Sequence, residues 1–198
     1  SYLFAIFLLA GVAWVLIGTN PEVTAQLAAG GAYVADGLAR VLKLFAVTAV
    51  ATVFLYSRPW LRSRNLHFGE YYVLGLFGLL GVMVLASGYS LLVSYIGLEI
   101  LSLSLYAMVA FDRDSARSAE AAMKYFVLGA IASGTLLYGM SLIYGITGTL
   151  QIGELQTAIA AKSDVVGLWV GLGFMVVGVA FKFGAVPFHM WVPDVYDG

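Results

Sequence analysis

The chain has 198 residues, of which 62% are hydrophobic and only 11% are charged; its mean hydropathy is +0.94 and its net charge is −1. Soluble domains carry roughly 25% charged residues, so this composition is typical of an all-α, polytopic membrane protein. Cysteine is absent, which excludes thiolate ligation of an iron–sulfur cluster and a two-cysteine zinc site. The slight negative charge argues against a nucleic-acid surface. We therefore expect this chain to bind no cofactor or metal.

Six apolar runs of about 20 residues predict six transmembrane helices. The third and fourth share the stretch 71–111. At roughly 1.5 Å per residue that stretch is twice a bilayer thickness, so we expect the chain to turn back at 87–90. The runs lack the alternation that would indicate strands. The six predicted spans are 1–17, 37–57, the two parts of 71–111 on either side of the turn, 119–146 and 165–191.

The distribution of arginine predicts the orientation. Two of the predicted loops are rich in arginine, whereas the loop 19–36 has no basic residue and the loop 147–164 has only Lys162. The positive-inside rule then places the arginine-rich loops in the cytoplasm. Arg40 and Lys43 count against this orientation, although Asp36 precedes Arg40 by four residues and predicts a local ion pair. The loop residues that set the orientation are Arg58, Arg62, Arg64, Arg113 and Arg117.

Two ionisable residues interrupt the fourth and fifth apolar runs. Glu99 lies near the middle of its span, too deep for a carboxylate to reach the headgroups, and such residues are by default functional. The alternative is a protonated glutamate satisfied by a neighbouring helix. Lys124 lies about a turn and a half inside its span, where it either serves a pathway or extends its ammonium to interfacial water. The sequence leaves both alternatives open.

Lys182 is followed by two residues that disturb a helix, Gly184 and Pro187. Proline removes the hydrogen bond to the carbonyl four residues earlier, that of Phe183, so we predict a helix break here. Freed carbonyls at membrane depth are tolerated where they are buried in protein or line a hydrated cavity, and transporters build ion sites in this way. An ordinary proline kink with a lysine extending to the interface is the alternative.

Three further predictions concern histidine and glycine. His189 follows Lys182 by two helical turns, so with a modest kink both share a face and His189 is a candidate proton relay; the alternative is an interfacial residue. His67, in a basic loop, is predicted to be solvated. The glycines of the third and sixth spans predict close helix packing and not dinucleotide binding. They are Gly75, Gly78, Gly81, Gly167, Gly171 and Gly173.

Three segments resemble the antiporter-like membrane subunits of complex I, the bacterial NADH:quinone oxidoreductase, and in particular its subunit N branch. They are 97–106, GLEILSLSLY; 118–126, SAEAAMKYF; and, most specific, 181–196, FKFGAVPFHMWVPDVY. The resemblance implies a fold of two inverted repeats, of which an N-terminal fragment is present here. On this basis residues 1–60 form peripheral helices and residues 71–198 the first part of the proton-translocation domain.

The resemblance also implies roles. Glu99, Lys124, Lys182 and His189 match the family's glutamate, sixth-helix lysine, central lysine and connecting histidine. The chain then has no catalytic residue of its own, but belongs to a translocase in which quinone reduction on other subunits drives proton transfer. NADH, FMN, iron–sulfur clusters and quinone are expected on those subunits, and the other membrane subunits, lipid and protons are the partners, in a bacterial inner membrane. The alternatives are a cation/proton antiporter, a hydrogenase membrane subunit, or a non-conducting scaffold.

Overall fold

The computed structural model describes residues 2–18, 26–64, 66, 69–161 and 166–197. The described residues are predominantly helical, and six apolar helices correspond to the six predicted spans. Four of these, α2 to α5, are long and apolar enough to cross a membrane, and α1 and α7 are shorter apolar helices. The elements are α1 (Tyr2–Gly18), β1 (Gln26–Ala28), β2 (Tyr33–Ala35), α2 (Gly37–Ser63), α3 (Gly69–Ser87), α4 (Leu91–Val109), α5 (Ala116–Thr147), α6 (Ile152–Ala160), α7 (Val166–Lys182) and α8 (Val192–Asp197). The predicted all-α membrane fold is confirmed.

Several boundaries differ from the predicted ones. α2 continues through Pro59 to Ser63, so Arg58 and Arg62 lie in the last turns of a helix and not in a loop. The apolar run ends at residue 57, but one face of the helix stays packed beyond it. On that face Leu61 is 1% exposed. The connection between α1 and α2 contains a short antiparallel hairpin, with Leu27 paired to Val34, which the sequence analysis did not predict.

The α-carbon contacts divide the chain into two compact units. The first comprises residues 1–89 and 93–108, and the second comprises residues 90–92 and 109–198. In the first unit α1, α2 and α3 pack around Phe54, which is 1% exposed and lies edge-on to Tyr72 with ring centroids 5.1 Å apart. A Cβ on Gly75 would lie 2.6 Å from the Phe54 ring, so glycine makes room for this aromatic residue.

Also in the first unit, α3 and α4 form an antiparallel pair with backbones in contact. A Cβ on Gly81 would lie 2.5 Å from the Leu101 nitrogen and 2.7 Å from the Gly97 carbonyl oxygen. A Cβ on Gly78 would lie 3.8 Å from Leu101 Cδ1 and 3.8 Å from Ser104 Cβ. The turn at 88–90 joins the two helices, as predicted, and Gly88 forms a β-bridge with Tyr33.

In the second unit α5 and α7 form a second antiparallel pair. A Cβ on Gly139 would lie 2.7 Å from the Gly171 carbonyl oxygen, and one on Gly178 would lie 2.7 Å from the Leu136 Cβ. Small residues let two membrane helices approach closely, so the predicted packing role is confirmed for Gly171. At Gly173 a Cβ would meet no atom of the described residues within 4 Å, so close packing is not seen there.

Candidate functional site: a helix break and a lysine cluster

The apolar helix α7 ends at Lys182 with a glycine cap. The Ala185 amide donates to the Ala180 carbonyl at 2.9 Å, and the Gly184 amide donates to the Phe181 carbonyl at 2.9 Å. Gly184 has φ +61°, in the left-handed region. These two bonds and this conformation define a Schellman motif, in which glycine at C′ allows the chain to leave the helix while late carbonyls stay hydrogen-bonded.

The predicted break after Lys182 is therefore confirmed, but its cause is Gly184. Pro187 lies three residues beyond the glycine, where the helix has already ended, so it follows the break and does not create it. The predicted continuation of the span to residue 191 is wrong, because residues 183–191 form turns. A Cβ on Gly184 would lie 2.9 Å from Val192 Cγ2, which brings the first residue of α8 back against the cap.

Trp191 fixes the end of this turn segment. Its ring stacks on Tyr125 of α5, with centroids 4.7 Å apart, and on Phe181 of α7, with centroids 5.4 Å apart. The indole nitrogen is buried with no hydrogen-bond partner in the described structure. Trp191 thus joins α5 and α7 across the break.

Lys124 lies at the centre of a cluster of charges near the start of α5. Its Nζ is 2.9 Å from Glu120 Oε1, one helical turn earlier, and 3.0 Å from Asp194 Oδ2 in α8. The lysine side chain is 46% exposed. A cavity of ≈ 150 Å³ lies here, lined by Arg117, Glu120, Ala121, Lys124 and Asp194. We call these residues the Lys124 cluster.

The structure places the remaining predicted site residues as follows. Lys182 is the last residue of α7 and is half-buried. His189 is exposed within the turn segment and does not share a helical face with Lys182, because no helix connects them. Glu99 is half-buried in the middle of α4. His67 and Lys162 lie outside the described residues.

The serines that follow Glu99 are bound to their own helix. The Ser102 hydroxyl donates to the Leu98 carbonyl at 2.8 Å, and the Ser104 hydroxyl donates to the Ile100 carbonyl at 2.7 Å. Both serines are buried. Bonding to the carbonyl four residues earlier is how hydroxyls in apolar helices satisfy themselves, so this geometry favours a packing role over a pathway role.

Sequence reasoning missed a second lysine cluster, in the first unit. Lys43 of α2 is 9% exposed, and its Nζ donates to the Tyr33 hydroxyl at 2.6 Å. Burial raises the pKa of the Tyr33 phenol, but the hydrogen bond with Lys43, the neighbouring Ser87 hydroxyl and the Lys43 charge outweigh burial and bring that pKa below its ordinary value of 10.0. We call these three residues the Tyr33 cluster.

Arg40 and Asp36 cap two different helices. The Asp36 side chain accepts from the Ala39 amide at 2.7 Å, which makes it the N-cap of α2. The Arg40 guanidinium donates to the carbonyls of Leu16 and Ile17 at 2.7 and 2.6 Å, at the end of α1. The two residues therefore do not form the predicted local pair. An aspartate directly before an apolar helix is the signal that identifies such a cap from sequence.

No group of three or more histidine, cysteine, aspartate or glutamate side chains that could hold a metal ion occurs within the described ranges. The Lys124 cluster offers a cation between carboxylates, which is an arrangement for exchanging a proton or a hydrogen bond.

Comparison with known proteins shows the family. Residues 88–198 match the family model described as NADH:quinone oxidoreductase/Mrp antiporter, TM. The chain is 62% identical over 168 residues to NADH-quinone oxidoreductase subunit N of Thioalkalivibrio sulfidiphilus, covering 84% of this chain and 35% of that protein. The chain thus spans about a third of that relative's length.

Two solved structures resemble the chain. A chain of respiratory complex I from Thermus thermophilus, with bound aureothin, matches with a TM-score of 0.78 and 34% identity, over 100% of this chain and 42% of that one. A chain of the membrane-bound sulfane sulfur reductase, an archaeal respiratory membrane complex, matches with a TM-score of 0.73 and 26% identity, over 98% and 40%. By the family model, which covers more than half of its residues, the chain belongs to the NADH:quinone oxidoreductase/Mrp antiporter transmembrane family.

Proposed function

We propose that the chain is part of a proton-translocating subunit of NADH:quinone oxidoreductase in a bacterial inner membrane. Its arginine-rich segments at 58–64 and 113–117 would lie on the cytoplasmic side. The observation that carries this proposal is the end of α7 at Lys182, inside a stretch that is otherwise apolar. An ammonium at such a position is costly to bury, and interrupted helices at membrane depth line hydrated cavities. The names of the similar proteins support NADH:quinone oxidoreductase as the complex to which the chain belongs.

Within this proposal Lys182 is the central proton carrier and Glu99 tunes its charge. An ammonium beside a carboxylate holds its proton more tightly than one in an apolar environment, so moving the two groups relative to each other switches proton uptake and release. Lys124 is the carrier near the cytoplasmic end. His189 connects the break to the next carrier, since an imidazole ring has both a donor and an acceptor nitrogen and this one is exposed in the turn segment.

In this proposal all redox chemistry takes place on partner subunits. NADH, FMN, iron–sulfur clusters and quinone would bind there, and this chain would contact other membrane subunits, lipid and protons. Residues 1–60 would form the peripheral helices, and residues 71–198 the first part of the proton-translocation domain.

Another redox complex is the strongest rival. The similarity to a chain of the sulfane sulfur reductase, at 26% identity, favours a membrane module that serves different redox partners. A hydrogenase membrane subunit or a cation/proton antiporter would also carry the same glutamate and lysines. Co-purification of the full-length protein with quinone-reducing subunits distinguishes the proposal from these alternatives.

Lys182→Met in the full-length protein tests the carrier role. We expect proton uptake by membrane vesicles during NADH oxidation to fall severalfold while the complex still assembles. Lys182→Arg should impair pumping as well, because arginine hardly releases its proton. Lys162→Met, the same substitution in a predicted loop, is the control. Normal pumping and turnover in Lys182→Met would show that the lysine is structural and would favour the scaffold alternative.

Lys124 ranks below Lys182 and Glu99 in this scheme. Glu99→Gln removes the charge but keeps the size, so it should resemble Lys182→Met, whereas Glu99→Asp should keep part of the activity. Lys124→Ala should be milder, since that side chain is 46% exposed and water can replace it. Equal losses for all three residues would contradict this order.

A further inference from the structure

We propose that Asp194 is a positioning residue for proton transfer, which holds the segment after the helix break against α5 through Lys124. This inference rests on the proposed function, because it assigns Asp194 a role in proton transfer by Lys124 and Lys182. Asp194 is not among the residues that the sequence analysis selected.

The first support is that the segment is fixed at both ends. At its start the Gly184 cap joins it to the last turn of α7, next to Lys182. At its end Asp194 Oδ2 lies 3.0 Å from Lys124 Nζ, across 70 residues of sequence. The Val195 amide donates to the Trp191 carbonyl at 3.2 Å, so Trp191 lies directly before α8 and is tied to its first turn, which contains Asp194.

The second support is that Trp191 touches a neighbour of each lysine. Its ring stacks on Tyr125, which follows Lys124, and on Phe181, which precedes Lys182. A displacement of α8 away from α5 therefore breaks the Lys124–Asp194 contact and at the same time unstacks the residue next to Lys182. Through this geometry one movement of the segment changes the surroundings of both proposed carriers.

The third support is that Lys124 has two carboxylate partners of different kinds. Glu120 lies on α5 and stays beside Lys124 wherever α8 lies, since the pair is separated by one turn of the same helix. Asp194 reaches Lys124 only while α8 is docked. Loss of Asp194 leaves the ammonium with one carboxylate and with the ≈ 150 Å³ cavity that these side chains line, which is large enough for water.

Two readouts in the full-length protein, within the assembled complex, test this inference. One is deuterium uptake by peptides covering residues 186–197, and the other is the number of protons pumped per NADH oxidised. Asp194→Asn should raise deuterium uptake and lower pumping by about two- to fivefold, the range expected for a half-exposed ion pair. Glu120→Gln is the matched control, which removes the other carboxylate and should leave deuterium uptake unchanged.

The reciprocal exchange, Lys124→Asp with Asp194→Lys, separates charge pairing from packing. It should restore protection of residues 186–197 relative to Asp194→Asn. Unchanged deuterium uptake in Asp194→Asn, or no restoration by the exchange, would show that the Lys124–Asp194 contact does not hold the segment against α5. Increased uptake with unchanged pumping would overturn the positioning role. The proposed function is judged separately, by Lys182→Met, whose normal pumping would overturn it whatever Asp194 does.

Discussion

The two compact units each contain a lysine cluster, and the two clusters are built in opposite ways. Lys43 in the first unit is 9% exposed and bonds to a tyrosine hydroxyl. Lys124 in the second unit is 46% exposed and lies between two carboxylates. A buried ammonium that keeps one close uncharged partner is a fixed structural element, because leaving it would expose an unsatisfied charge to apolar surroundings. A half-exposed ammonium with two competing partners can exchange them.

Helices α2 and α7 differ in the same sense. α2 runs without interruption from Gly37 to Ser63, past Lys43 and even through a proline. α7 ends at its lysine, and the chain returns through turns to α8. The first unit thus closes its polar groups inside regular structure, whereas the second places them where the backbone leaves its helix. We infer that α1 and α2 of the first unit, with the Tyr33 cluster, form a scaffold, and that the second unit contains the segment that moves.

The largest expected effect tests whether the helix pairs of both units are equally rigid. Gly81→Ala and Gly139→Ala each place a Cβ within 2.8 Å of backbone atoms on the facing helix, which cannot move aside cheaply. We expect both to lower the stability of the full-length protein by about 1–3 kcal/mol, measured as the unfolding midpoint in detergent. Gly173→Ala, in open space on α7, is the control. A stable Gly139→Ala variant would mean that the α5–α7 contact is looser than its counterpart.

The next effect is confined to the helix break. Gly184→Ala requires a left-handed conformation that costs an L-residue about 1–2 kcal/mol, and its Cβ would press on Val192. We expect pumping to fall more than stability, because the cap places the turn segment and not the core. Gly145→Ala, inside α5 with nothing within 4 Å, is the control and should be neutral or slightly stabilising. Equal loss of stability and pumping would place the break within the rigid part of the unit.

The sequence predicted the parts of this structure that depend on local pattern. Apolar runs of span length identified the six apolar helices, and Gly184 located the break, because a glycine adopts the left-handed conformation at its own position. It did not identify the contacts of Lys124 and Lys43. Asp194 is 70 residues from Lys124, and Tyr33 lies in a short hairpin without helical register, so no spacing rule joins these pairs.

The predicted cause of the helix break, Pro187, is wrong for a related reason. A proline is the most visible helix breaker in a sequence, whereas a Schellman motif depends on a positive φ and on two specific hydrogen bonds that only coordinates show. Glycine followed by proline within a few residues is the signal that should have given Gly184 the larger role.

A smaller effect is expected in the first unit. Tyr33→Phe removes the hydroxyl that accepts from Lys43 but keeps the ring. We expect a loss of about 1 kcal/mol in stability, near the low end for an unsatisfied buried donor, since Lys43 retains some exposure. Pumping per NADH should stay normal, because this cluster is structural. A fall in pumping at unchanged stability would mean that the Tyr33 cluster conducts, and the contrast between the two units would fail.

The smallest effect is a pH dependence of the difference in stability between wild type and Tyr33→Phe. The folded-state pKa of Tyr33 lies below its unfolded value of 10.0, so the folded protein binds the phenol proton less tightly than the unfolded chain does. The stabilisation from the ionised phenol is therefore complete above 10.0 and is lost as the pH falls through the folded-state pKa. The gap in unfolding midpoint between wild type and Tyr33→Phe should widen as the pH rises from neutrality toward 10. In a Lys43→Met background the widening should shrink, because the lysine supplies the favourable charge and hydrogen bond. A gap that narrows with rising pH would show that burial, and not Lys43, dominates at Tyr33.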